Sequence, residues 1–230
     1  MKILAGIIIP SIGIILYLLG NSWVNGFSID FTENERINHL IKFQIYGLLL
    51  SLLTLCITLY LAPESKKYLK FGNLSALSQP VKVLLIKGSD NWYKTGLSYL
   101  VVITVSTTLF MYFGVGISAN WNNLIALLPY IVVFSLTNSF NEEIITRFTV
   151  VGLLDGYLKP LQIIWSAALI FGPIHYFGHP GGPLGMLMAG FLGWLLAKSI
   201  IETQGIGVAW GVHFVQDIVI YSFLLISVWK

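Results

Sequence analysis

Residues 43–62, FQIYGLLLSLLTLCITLYLA, hold 20 consecutive positions without a charge. A helix needs about 20 mostly apolar residues to cross a bilayer. Outward from this stretch the same pattern recurs. Ile3–Leu19, Thr95–Ser118 and Trp121–Phe140 carry no charge, and Leu161–Phe177, Pro183–Ala197 and Gly205–Trp229 are apolar runs holding few polar residues. The sequence therefore reads as all-α: a polytopic transmembrane helix bundle of about seven spans, or eight if the stretch after Phe140 forms its own element. Composition agrees, with 56% hydrophobic residues, 10% charged and a mean hydropathy of +0.81. Soluble domains carry about 25% charge, so this chain is short of the polar groups a water-facing surface needs. Residues 1–230 form one membrane domain, with N-terminal spans in 1–120 and a polar-bearing core of helices in 121–230.

The loops set the expected orientation. Between Pro63 and Lys94 lie Lys66, Lys67, Lys70, Lys82, Lys87 and Lys94, against Glu64 and Asp90. The preceding loop has Arg36 and Lys42 against Asp30, Glu33 and Glu35. Lysine and arginine mark the cytoplasmic side. The lysine-rich loop and the N-terminus are thus expected there, in the cell membrane, and the lysines report topology rather than nucleic-acid binding. The run after Lys2 exceeds a usual signal core and has no small-x-small cleavage pattern, so it reads as a retained helix. The single Cys56 excludes an intramolecular disulfide and is expected to be a buried thiol.

Polar residues inside a bilayer are expensive and mark function by default. Three places qualify. Glu143 and Arg147 are four apart on a helix, acid first, the favourable order for an ion pair. Glu142 points about 100° away and is free to face something else. His175 shares a helical face with Phe171, beside Gly172 and Pro173, which suggest a kink. His213 and Asp217 share a face of the last apolar run. His179, in the turn HPGGP, reads as a loop residue. Together, Glu142, His175, His213 and Asp217 lie on three different apolar helices and could converge in one bundle. They would suit zinc, or a water activated without metal, and no HExxH signature decides between the two.

In this order, EExxxR (Glu142, Glu143, Arg147), FxxxH (Phe171, His175) and Hxxx(N/D) (His213, Asp217) resemble the CPBP family of CAAX proteases and bacteriocin-processing or Abi proteins. The resemblance covers about Leu124 to Trp229. It implies an intramembrane endopeptidase acting on a membrane-associated peptide or protein. In that picture Glu142 and His175 activate the attacking water, while His213 and Asp217 stabilise the oxyanion. Glu143 and Arg147 would support the site. A metal-free mechanism is favoured over a zinc enzyme, in which the same four residues would be the ligands. Prenyl endopeptidases of this type carry asparagine where this chain has Asp217, which points toward the bacterial branch of the family. A non-catalytic immunity or regulatory protein, and a proton- or metal-coupled transporter, are the competing readings. No inverted repeat supports the transporter. On straight helices Glu142 would sit near the cytoplasmic end of the fourth span and His175 deeper, so convergence requires a tilt or a break.

Overall fold

A computed structural model of the chain describes residues 1–114, 121–178 and 181–227. Eight α-helices are described: α1 (Lys2–Trp23), α2 (Glu35–Leu61), α3 (Trp92–Gly114), α4 (Leu124–Glu142), α5 (Thr149–Leu154), α6 (Pro160–Phe171), α7 (Gly182–Thr203) and α8 (Gly207–Ile226). Among the described residues six segments are long and apolar enough to cross a membrane: Lys2–Gly26, Glu35–Leu61, Trp92–Gly114, Trp121–Leu154, Gly182–Thr203 and Gly207–Ile226. The all-α bundle expected from the sequence is present. Two of its expected elements have a different form.

The fourth span does not end at Phe140. Helix α4 continues through a π-helical turn, Glu143–Phe148, into α5, making one segment of 34 residues from Trp121 to Leu154. The stretch after Phe140 is therefore no eighth element. Two threonines support the widened turn. The Thr149 hydroxyl donates to the Ile144 carbonyl five residues back (2.8 Å), and the Thr146 hydroxyl to the Glu142 carbonyl (2.6 Å). Every residue from Asn141 to Leu154 is buried. A helix buried all round is a central one; α1, α2, α6 and α7 pack around this segment, and α4 runs along α8.

The expected span Leu161–Phe177 is broken. Helix α6 has 12 residues and gives way to a 3-10 turn, Pro173–Phe177. Pro173 lacks the N–H that would continue the α-helix. At 1.5 Å per residue α6 reaches only ~18 Å, against a hydrocarbon core of ~30 Å. Gly172 allows the break to sit against α7. A Cβ there would stand 3.0 Å from Gly190 Cα and 3.1 Å from the Met186 carbonyl oxygen.

Helix α2 explains why Cys56 is exposed rather than buried. Its buried positions include Gln44, Gly47, Ser51, Thr54 and Thr58. In lipid, small and polar residues face the neighbouring helices and aliphatic ones face outward. Cys56 falls on the outward face, where the rule for soluble cores does not apply.

One end of the bundle is tied together by polar contacts. Lys2 pairs with Glu64 (3.1 Å) and Lys67 with Asp155 (2.6 Å), while Tyr68 donates to Asp155 (2.8 Å). The Asn73 amide donates to the Thr203 carbonyl (2.8 Å). Glu202, paired with buried Lys198, accepts from the Gln79 amide (3.1 Å) and Trp92 Nε1 (2.9 Å). The N-terminus, the lysine-rich loop and the α7–α8 turn thus share one end.

Gly172→Val should force α6 away from α7 and lower stability by about 1–3 kcal/mol. Gly26→Ala, where a Cβ meets nothing within 4 Å, should change stability by less than about 0.5 kcal/mol. Thermal unfolding of the two variants in detergent measures the difference.

Candidate active site

The central helix presents Glu142, Glu143 and Arg147, the turn after α6 presents His175, and α8 presents His213 and Asp217. The structure brings all six together. Glu142 Oε2 lies 3.9 Å from His175 Nε2 and 3.6 Å from His213 Nε2, and His213 Nε2 lies 3.7 Å from Asp217 Oδ1. These separations exceed a direct hydrogen bond. The two imidazoles and two carboxylates face a common point rather than bonding one another.

The convergence that straight helices made difficult has two causes. The central helix extends to Leu154, which places Glu142 about three turns inside it rather than at its end. The break at Gly172 then turns His175 toward it.

Each histidine is oriented through its Nδ1. His175 Nδ1 is 3.0 Å from the Phe171 carbonyl oxygen, which can only accept, so Nδ1 carries the proton and Nε2 faces Glu142. His213 Nδ1 is 2.7 Å from Glu143 Oε1 and donates to it. Second contacts of this kind fix both the tautomer and the ring direction.

The expected Glu143–Arg147 pair is present, with Arg147 Nη1 3.2 Å from Glu143 Oε1 and both side chains fully buried. The same Glu143 oxygen that meets Arg147 also holds His213, a link the spacing of the motif does not reveal. Arg147 donates to the Thr146 hydroxyl (2.9 Å), and its guanidinium carbon stands 3.4 Å from the Phe171 ring centroid. That ring lies 4.2 Å from the His175 ring and meets His213 edge-on at 5.9 Å. Phe171 is therefore the plate on which the arginine and both histidines rest.

Sequence reasoning missed Asn138. Its amide nitrogen donates to Glu142 Oε1 (3.2 Å) and Asp217 Oδ2 (3.0 Å). Its carbonyl accepts from Tyr17 (2.7 Å) and Tyr221 (3.4 Å). Tyr221 in turn accepts from Gln44 (3.0 Å). Asn138 is four residues before Glu142 and Tyr221 four after Asp217, so the i, i+4 rule could have marked both. Tyr17 and Gln44 come from spans without any motif, and only the fold brings them here. His179 lies outside the described residues.

Among the described residues no group of three or more His, Cys, Asp or Glu side chains is arranged to hold a metal ion. Glu143 already occupies His213 Nδ1, and Asn138 occupies one oxygen each of Glu142 and Asp217.

Residues 122–219 match the family model for type II CAAX prenyl endopeptidase Rce1-like proteins. No curated protein and no solved structure matches the chain. The matched stretch contains every residue of the cluster except Tyr17, Gln44 and Tyr221.

Glu143→Gln should leave Arg147 buried without its counter-charge. Breaking a buried ion pair from one side costs about 3–5 kcal/mol. The expected result is a large fall in the yield and thermal stability of folded protein, measured by fluorescence-detected size exclusion in detergent.

Proposed function

We propose that this chain, which matches the type II CAAX prenyl endopeptidase Rce1-like family model over residues 122–219, is a CAAX-type protease that hydrolyses a peptide bond of a membrane-associated peptide or protein with a water activated by Glu142 and His175. One observation carries the reading. Both histidines turn Nε2 toward Glu142 Oε2, an oxygen with no direct hydrogen bond among the described residues.

Glu142 Oε2 is the base. It takes a proton from water as the oxygen attacks the scissile carbonyl, and His175 Nε2 accepts a hydrogen bond that aligns the water. His213, with carboxylates on both sides, carries a second proton on Nε2 and donates it as a hydrogen bond to the developing oxyanion. Asp217 faces that same nitrogen and steadies it; a carboxylate is not itself an oxyanion donor. Collapse of the tetrahedral intermediate breaks the C–N bond, and Glu142 returns its proton to the leaving amine. No step runs through a metal. With the N-terminus and lysine-rich loop on the cytoplasmic side, the substrate would arrive from the cytoplasmic leaflet.

Internally quenched CAAX peptides, prenylated and unprenylated, cleaved by the protein in liposomes, test the proposal. Glu142→Gln, His175→Ala and His213→Ala should each lower turnover by about 10²–10⁴-fold while folded protein persists. Full activity in all three would overturn the peptidase reading in favour of a binding protein. Turnover should also survive 1,10-phenanthroline, with no stoichiometric zinc by elemental analysis. Chelator-sensitive turnover restored by zinc would overturn the metal-free mechanism.

A further inference from the structure

We propose that Asn138 is a positioning residue of this site, the amide that ties Glu142 to Asp217 and decides which oxygen of Glu142 acts as base; the inference rests on the peptidase reading above. The two carboxylates belong to different helices, α4 and α8, and Asn138 donates one hydrogen to each, at 3.2 and 3.0 Å. An amide between two carboxylates lowers the repulsion that would otherwise drive them apart.

Its orientation is fixed by chemistry. An ionised carboxylate only accepts, so the NH2 group must face Glu142 and Asp217. The carbonyl faces the hydroxyls of Tyr17 (2.7 Å) and Tyr221 (3.4 Å), which supply the donors it needs. A flipped amide would set its oxygen against two carboxylates. Helix α1 and helix α8 thus hold the amide directly, and α2 does so through Gln44 on Tyr221.

The consequence falls on Glu142. Oε1 is engaged by Asn138, whereas Oε2 faces His175 and His213. With Oε1 anchored, the carboxylate cannot rotate away from the histidines. A residue of α1, remote from every recognisable motif, thereby contributes to the geometry of the base.

The test is steady-state kinetics in liposomes on the most rapidly cleaved quenched peptide, with unfolding temperature recorded for each variant. Asn138→Ala should lower kcat by about 10–100-fold with little change in KM, the pattern for an interaction used only in the transition state. Tyr17→Phe, which keeps the ring and loses one hydroxyl, should lower kcat by about 3–10-fold. It also serves if Asn138→Ala fails to fold. The double variant should be no slower than Asn138→Ala alone, because Tyr17 acts through Asn138. Unchanged kcat in Asn138→Ala and Tyr17→Phe, or effects that multiply in the double variant, would overturn the role of Asn138 while leaving Glu142-dependent turnover standing. Equal turnover by wild type and Glu142→Gln would instead remove the peptidase reading and this role with it.

Discussion

Arg147 and Glu143 meet at 3.2 Å with both side chains entirely out of solvent, and the rest of the site is built around that pair. Taking two charges out of water costs several kcal/mol per ion, and their attraction repays this only when further contacts complete the geometry. Here they do. The Glu143 oxygen also receives His213, and the guanidinium rests on the face of Phe171, where a cation is attracted to the ring. The fully buried central helix supplies the enclosure that makes the pair necessary and strong. The π-helical turn through Glu143–Phe148 sets where the two side chains point. Single π-turns inside α-helices are rare and recur at functional sites.

From that pair the arrangement spreads in two directions. Through Glu143 it fixes His213; through Phe171 it reaches His175, whose Nδ1 is held by the Phe171 carbonyl. A second, separate network reaches the same point from Tyr17, Gln44 and Tyr221 through Asn138. Glu142 stands where the two networks meet. Its two oxygens have different environments, one hydrogen-bonded and one turned to the imidazoles. Preorganisation of this kind places charge and dipoles before the reaction begins and avoids reorganising them during it.

Much of this was legible in the sequence. Charge-free runs such as 43–62 determine a membrane bundle because length and apolarity are the physical requirements for spanning. The i, i+4 spacing of Glu143 and Arg147 separated the structural acid from Glu142, and the cluster formed by Glu142, His175, His213 and Asp217 is the one expected from three expensive polar places. What stayed hidden depended on tertiary contacts. The end of charge-free sequence at Phe140 suggested a helix end, yet the helix continues, with Glu143 paired to Arg147 and Glu142 held by Asn138 inside the bundle. Cys56 was misplaced by a burial rule for water-soluble cores, which inverts when the solvent is lipid. Tyr17 and Gln44 belong to no motif; nothing local links them to a residue some hundred positions away. Asn138 and Tyr221 were recoverable omissions, since the first lies one helical turn before Glu142 and the second one turn after Asp217.

The claim at the centre of this account is that Glu142 activates water without being needed to bind substrate. Its most direct test is a single-turnover measurement on Glu142→Gln loaded with a fluorescent peptide that the wild type cleaves. The account predicts that the variant binds the peptide with near wild-type affinity and holds it uncleaved. Cleavage of the bound peptide at the wild-type rate would contradict it.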